Sequence, residues 1–255
     1  MEVAPAAPAS PGERAAILRE CLAMFAVATA VVAVLWQLSG PIRLVRDYLP
    51  ALVAVVFLYL PAWLAWRRGQ ELAVFGLTAR PLGRSLAFGL GGPAIVFPFF
   101  LVGFVLFYGA VCAPGAGLLR QLAQPGLCLR FLGWSGLHHL RLPAGVLEST
   151  FAQVVVVALP EELFFRGYLL GRLEQAFPPT HRWLGGGLGV ALVLSALLFA
   201  LGHVLVDFDV RRLAVFFPGL LFGWMRSATG SILAGVLCHA SANLYIDALH
   251  RTFFG

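Results

Sequence analysis

The sequence contains no lysine and has few charged residues of any kind. Charged side chains make up 12% of the 255 residues, whereas soluble domains have roughly 25%. Hydrophobic residues make up 60%, and the mean hydropathy is +0.87. The apolar residues come in blocks of about 20, which is the length of helix that crosses a bilayer. The composition therefore excludes an ordinary soluble domain and predicts a multi-pass membrane protein.

The basic residues are all arginines, and they are scattered between the apolar blocks. A nucleic-acid-binding protein would cluster them in one patch, so the net charge of +6 does not predict a nucleic-acid partner. Scattered arginines are typical of the flanks of membrane spans, with the lipid bilayer as their partner. The exclusive use of arginine is typical of a GC-rich genome, which favours a bacterial protein of the cell (inner) membrane.

The four cysteines lack CxxC spacing, so the sequence supports neither a zinc knuckle nor a thioredoxin motif. Free, buried thiols are the favoured interpretation of Cys21, Cys112, Cys128 and Cys238. Cys112 and Cys128 flank one long loop. A disulfide between these two is the alternative if the loop faces an oxidising compartment.

The predicted fold is an all-α, polytopic transmembrane helical bundle with about seven spans. A polar lead-in over 1–19 lacks the short apolar core and cleavage site of a signal peptide. The broken segment 113–147 is predicted to form one or two interfacial amphipathic pieces. The predicted spans are 20–38, 49–66, 86–112, 148–170, 188–207, 212–226 and 231–249.

Three short polar stretches interrupt the later spans, at a depth where ionisable groups are costly and usually functional. They read PEELFFRG, LLFALGHVL and VLCHASANLY. In the first, Glu162 and Arg166 are four residues apart, so they share a helix face and can pair. This pair leaves Glu161 as the unpaired charge, and Pro160 removes a backbone hydrogen bond beside it.

The other two stretches repeat the four-residue spacing. His239 and Asn243 form one polar stripe, and Phe199 and His203 share a face. Glu161 and His239 lie near mid-membrane, while His203 and Asn243 lie towards one common side, so one cavity can hold all of them. For this reason 148–255 is predicted to be a four-helix catalytic core, and 20–147 is predicted to contain flanking spans and an interfacial loop.

A carboxylate and two imidazoles at one cavity can perform acid–base chemistry on water. Glu161 would be the base, and His203 would position the same water. His239 and Asn243 would donate hydrogen bonds to a developing oxyanion. Glu161, His203 and His239 would also suit zinc, although the HExxH motif is absent.

The three stretches resemble the CAAX protease and bacteriocin-processing family, also called the Abi family, of intramembrane endopeptidases. Its pattern of Glu-Glu-x-x-x-Arg, Phe-x-x-x-His and His-x-x-x-Asn or Asp is similar to EELFFR, FALGH and HASAN in this chain. The resemblance implies cleavage of a membrane-anchored protein or peptide precursor, near a C-terminal tail. It also implies a metal-free mechanism with no cofactor, in which Glu161 and His203 activate water and His239 and Asn243 hold the oxyanion.

Other interpretations of the same residues stay open. Glu161, Glu162 and Arg166 also suit a structural ion cluster, and intramembrane Glu and His side chains also form the relays of proton-coupled transporters. A non-catalytic family member acting in immunity or binding would keep the motifs. The arginines divide almost evenly between the two membrane sides, so they leave the orientation open, whereas the eukaryotic relatives imply a cytosolic mouth.

Overall fold

The computed structural model describes residues 9–143 and 145–255, and these residues are mostly helical. Helix α1 (Pro11–Ser39) begins at a capping box in which Ser10 and Glu13 exchange hydrogen bonds. The described part of the predicted polar lead-in is therefore helical from Pro11. Residues 1–8 of that lead-in lie outside the described residues. Helices α2 (Arg43–Arg67) and α3 (Leu82–Val111) follow, with a 3-10 helix at Leu72–Phe75 between them.

The fourth helix, α4, is continuous over residues 146–176 and changes its winding four times. Segments Val146–Phe151, Leu159–Glu162 and Gly171–Ala176 are α-helical, whereas Ala152–Ala158 and Leu163–Leu170 are π-helical. The two π-helical segments lie on either side of Pro160, whose ring nitrogen cannot donate to the helical ladder. Because π-helical turns are rare and often occur at functional sites, this winding marks α4 as the site-bearing helix.

A β-hairpin and three helices complete the chain. Strands β1 (His181–Trp183) and β2 (Gly186–Leu188) pair antiparallel. Helix α5 (Val190–Asp207) leads to a 3-10 helix at Val210–Val215, followed by α6 (Phe216–Thr229) and α7 (Leu233–Phe254). Segment 113–147 was predicted to form one or two interfacial amphipathic pieces, and its described residues include three 3-10 helices: Gly117–Leu122, Leu127–Leu129 and Gly133–His139.

Four helices among the described residues are long and apolar enough to cross a membrane: α1, α2, α3 and α5. The predicted count of about seven spans is not confirmed. The predicted sixth span illustrates the difference, because α6 has 14 residues and is only about 21 Å long at 1.5 Å per residue. That length is short of the roughly 30 Å hydrocarbon core of a bilayer.

Helix α4 lies at the centre of the bundle. Every residue of its segment Leu163–Leu170 is buried. The Phe57 ring of α2 contacts Phe164 and Phe165 at centroid distances of 5.2 and 5.6 Å, and Ser195 of α5 donates to the Phe165 carbonyl. The first helices therefore pack directly on the motif-bearing helix, which fixes its position against α5, α6 and α7.

Two of the four cysteines are paired, so the favoured interpretation of four free thiols is wrong. Cys112 at the end of α3 forms a disulfide with Cys128, 16 residues later, with a Cα–Cα distance of 5.1 Å. Cys21 and Cys238 are free and buried, as expected. The pairing arises because the turn after α3 brings the chain back over the end of that helix, which sequence spacing alone does not specify.

Candidate active site

The Glu162–Arg166 ion pair predicted from the four-residue spacing is present and fully buried. Arg166 Nη1 lies 3.0 Å from Glu162 Oε1, and both side chains are 0% exposed. Arg166 Nη2 also donates to the Gly219 carbonyl at 3.4 Å, and its guanidinium carbon lies 4.0 Å from the Phe199 ring centroid. A side chain at Gly219 would approach Arg166 Nη2 to 3.3 Å. This close approach of α6 lets its backbone help to solvate the buried charge.

Glu162 has a second partner that the sequence did not indicate. His239 Nδ1 donates to the same Oε1 atom at 3.0 Å, and the imidazole stacks on Phe222 at 5.0 Å with an angle of 16°. The other ring nitrogen, Nε2, lies 3.8 Å from Glu161 Oε2, beyond hydrogen-bond distance. Glu162 therefore fixes both the ring orientation of His239 and the nitrogen that faces Glu161.

His203 is held by its own helix. Its Nδ1 atom donates to the Phe199 carbonyl at 2.9 Å, and the Phe199 ring meets the imidazole edge-on at 4.6 Å. A carbonyl oxygen can only accept, so Nδ1 carries the proton, and in a neutral ring Nε2 is the acceptor. The predicted shared face of Phe199 and His203 thus has a specific effect, which is to fix the tautomer of His203.

Asn243 has a partner that the sequence analysis missed. Its Nδ2 atom donates to Gln153 Oε1 at 2.8 Å, and Gln153 lies in the first π-helical segment of α4. The available signal was an amide within the otherwise apolar run FAQVVVVA, eight residues before Glu161. The bond uses one N–H of the Asn243 amide and leaves the other for a second acceptor.

The four predicted catalytic residues Glu161, His203, His239 and Asn243 line one cavity of about 980 Å³. Within the described parts of the chain, Glu161 Oε2 is buried and has no hydrogen-bond partner. Phe199 also lines the cavity, whereas the Glu162–Arg166 pair lies behind the wall. The rest of the wall is largely apolar and includes Pro93, Val96, Phe97 and Phe100 of α3 and Phe217, Pro218, Leu221 and Phe222 of α6.

Titratable side chains line the end of this cavity that lies towards the C-terminal end of α7, and this end is called the mouth. Arg212, Asp247 and His250 belong to its lining, and Arg212 pairs with Asp207 at 2.9 Å. Hydrogen bonds from the neighbouring Arg211 lower the pKa of the Asp209 carboxyl to about 2. The loop after α5 therefore brings Arg212 to the cavity.

A metal centre has limited support from these side chains. Across residues 9–143 and 145–255, no group of three or more His, Cys, Asp and Glu side chains converges closely enough to hold a metal ion. Glu161, His203 and His239, the predicted zinc ligands, share the cavity but do not form such a group. The absence of a cofactor stays a prediction.

Comparison with known proteins supports the same assignment as the three motifs. Residues 143–245 match the family described as "Type II CAAX prenyl endopeptidase Rce1-like", and the matched segment contains all three motifs. Over this segment of the chain, the match confirms the resemblance to the CAAX protease family drawn from EELFFR, FALGH and HASAN. Together with the long apolar helices, the match indicates a membrane-embedded protease that acts on a protein substrate. Neither a curated protein nor a solved structure gives a significant match to the chain.

Proposed function

We propose that the protein is an intramembrane endopeptidase in which Glu161 activates the attacking water. The observation that carries the proposal is the Glu161 carboxylate, which is 14% exposed and borders a cavity, whereas the neighbouring Glu162 is 0% exposed and does not border it. Glu161 lines the same cavity as His203, His239 and Asn243. A general base needs a free lone pair within reach of the proton that it takes, and Glu161 offers this pair at a wall shared with hydrogen-bond donors.

The reaction proceeds in two proton-balanced steps. Glu161 removes a proton from water while the water oxygen bonds to the carbonyl carbon of the scissile peptide. His203 Nε2 accepts the remaining water O–H and so orients the attack. The protonated Glu161 then gives its proton to the leaving amide nitrogen as the carbon–nitrogen bond breaks, releasing a carboxyl and an amine terminus.

The oxyanion of the intermediate lies between His239 and Asn243. The Nδ1–H of His239 is bound by Glu162, so only Nε2 can donate to substrate, and it does so when the ring is protonated. Glu161 and Glu162 carry two negative charges and Arg166 carries one positive charge, so a protonated His239 brings the formal sum of the four groups to zero. A neutral buried cluster is less costly than a charged one, which supports the donor role of His239.

Gln153 is the positioning residue for Asn243. Its Oε1 atom accepts one Asn243 N–H at 2.8 Å. This bond requires that the amide nitrogen of Asn243, rather than its amide oxygen, faces Gln153. The second N–H is then available for the oxyanion. Preorganised donors of this kind stabilise a developing charge without reorganising during the reaction.

The cavity wall indicates the kind of substrate. Aromatic and aliphatic side chains of α3 and α6 dominate it, so it favours an apolar or membrane-anchored segment beside the scissile bond. The family description refers to CAAX prenyl endopeptidases, which cut near a C-terminal tail. We therefore propose a membrane-anchored protein or peptide precursor as the substrate.

The proposal is tested by comparing membranes from cells that express wild-type protein, Glu161→Gln or Glu148→Gln. Glu148 is an exposed carboxylate on the same helix α4 and does not line the cavity, so it is the matched control. New peptide termini should appear with wild type and Glu148→Gln, and uncut precursors should accumulate with Glu161→Gln. Equal cleavage in all three samples would contradict the proposal.

A further inference from the structure

One end of the molecule carries the disulfide. Cys112 and Cys128 close the first part of segment 112–145, directly after α3. Disulfides form and persist in oxidising compartments, such as the bacterial periplasm or the cell exterior, and are rare in the reducing cytosol. The pair therefore reports which side of the membrane this end of the bundle faces.

The mouth of the catalytic cavity lies at the same end. Segment 112–145 is bonded to the last turns of α7, through Leu132 N–H to the Phe253 carbonyl at 2.9 Å and Arg141 N–H to Thr252 Oγ1 at 3.1 Å. Asp247 and His250, on those same turns, line the cavity.

A second contact region leads to the same conclusion. A separate cavity of about 980 Å³ lies between residues 117–129 and the loop 208–211 that follows α5. This loop precedes Arg212, which lines the catalytic cavity. The disulfide-bonded segment and the cavity mouth are thus neighbours at one face.

The opposite end contains the start of α1. Glu20 pairs there with Arg68 at the end of α2 and with Arg172 in the last segment of α4. The turn between α6 and α7 lies at this end as well, because Ile232 N–H donates to the Gly76 carbonyl at 2.9 Å. This end and the disulfide end therefore lie at opposite ends of the long helices.

From this arrangement we infer that the catalytic cavity opens towards the oxidising, extracytoplasmic side of the membrane. Arginine counts do not decide the orientation, but the disulfide at the mouth end does. One consequence, which rests on the proposed function, is that the scissile bond of the substrate lies outside the cytosol. The expected substrates are therefore exported or membrane-anchored polypeptides with an extracytoplasmic cleavage site. This orientation of the cavity differs from the cytosolic mouth that the resemblance to eukaryotic relatives implies.

Labelling of single introduced cysteines tests the orientation without using activity. Val210 is exposed in the mouth loop, and Gln70 is exposed in the turn after α2 at the opposite end. In intact cells, a membrane-impermeant maleimide should label Val210→Cys and should label Gln70→Cys only after permeabilisation. The native free thiols Cys21 and Cys238 are buried, so the unmodified chain is the background control.

Two results would overturn the inference. One is the reverse labelling pattern, with Gln70→Cys reactive in intact cells and Val210→Cys reactive only after permeabilisation. The other is quantitative alkylation of Cys112 and Cys128 without prior reduction in protein from growing cells. Failure of the proposed function gives a different result, because Glu161→Gln would then accumulate no precursor while the labelling pattern would be unchanged.

The cleavage sites provide a second readout. Precursors that accumulate with Glu161→Gln should carry their cut sites on the extracytoplasmic side of their own membrane anchors. Cut sites on the cytosolic side would overturn the inference while leaving the proposed endopeptidase activity intact.

Discussion

Glu161 and Glu162 are adjacent in the chain but have different surroundings. Glu162 is fully buried and accepts from Arg166 and His239. Glu161 is 14% exposed, lines the cavity, and its Oε2 atom has no hydrogen-bond partner in the described structure. Glu162 Oε2 also lacks a partner there, so the two side chains differ in burial and in access to the cavity. A fully buried carboxylate with two charge partners is suited to orient neighbours, whereas one that borders a cavity is suited to move protons. This difference supports Glu161, rather than Glu162, as the proposed base.

The Asn243–Gln153 pair gives a prediction with an internal control. Asn243→Ala should lower turnover by about 10²–10³, the scale of one lost oxyanion donor, with little change in KM. Gln153→Leu should lower kcat by about 5- to 10-fold, the scale of one hydrogen bond. Gln153→Glu, which keeps the acceptor, should recover part of that loss.

The double variant decides whether Gln153 acts through Asn243. If it does, adding Gln153→Leu to Asn243→Ala should cause no further loss of turnover. A full additional 5- to 10-fold loss would show that Gln153 works independently, and its assignment as a positioning residue would be wrong. Steady-state assays on the purified variants make this comparison.

Metal content separates the glutamate mechanism from a metal mechanism. We expect purified protein to hold no stoichiometric metal and to keep its activity through prolonged chelation. A histidine that ligates a metal ion also commonly donates its other ring N–H to a carboxylate, as His239 does to Glu162. The hydrogen bond therefore fits both mechanisms, and metal content distinguishes them. About one zinc per chain by elemental analysis, lost together with activity in His203→Ala, would make Glu161, His203 and His239 ligands and a metal-bound hydroxide the nucleophile.

At the scale of elements, the Glu162–Arg166 pair joins α4 to α6 and α7. Arg166→Ala leaves a buried carboxylate without its main counter-charge, so the free energy of unfolding should fall by about 3–5 kcal/mol. Glu162→Gln with Arg166→Leu removes both charges and should be more stable than Arg166→Ala alone. Because the double variant also replaces the charged partner of His239 with a neutral amide, its activity should stay low. Thermal melting and assays on the same samples check both parts, and equal melting temperatures would refute the ion-pair account.

The contact of α7 with α4 depends on Gly235. A Cβ there would lie 2.7 Å from Glu162 Oε2, so Gly235→Ala should displace the carboxylate and lower both stability and turnover. Gly171→Ala on α4 is the matched control, since a Cβ at that position meets nothing within 4 Å. It should be neutral or slightly stabilising, because Ala is the better helix former by about 1 kcal/mol. Equal behaviour of the two variants would show that the close approach at Gly235 has no energetic consequence.

At the scale of the whole molecule, residue spacing in the sequence predicted the side-chain contacts that form within a single helix. The four-residue intervals identified the Glu162–Arg166 pair and the shared face of Phe199 and His203, because helix geometry fixes those distances. The bond from His239 to Glu162 and that from Asn243 to Gln153 join residues 77 and 90 positions apart. No periodicity encodes such contacts, since they depend on how α7 packs against α4.

The differences at the level of the fold have similar causes. The predicted sixth span includes a 3-10 turn and a short helix, because an apolar run shows hydrophobicity but not where its helix begins. The Cys112–Cys128 pairing required the path of a loop, which composition does not give. No hydrophobic or polar period in the sequence indicates the π-helical segments around Pro160, although the missing N–H of Pro160 does indicate an irregular helix.

The most direct test of the central claim is the rate at which purified protein cuts an accumulated precursor. Membranes from cells expressing Glu161→Gln supply that precursor, and purified wild-type protein, Glu161→Gln or Glu148→Gln is then added in detergent. Wild type and Glu148→Gln should generate the new termini at similar rates, and Glu161→Gln should be slower by at least about 10², the lower end of the range for an acid–base group. Cleavage by Glu161→Gln at more than about a tenth of the wild-type rate would contradict the account, because Gln cannot accept the proton of the attacking water.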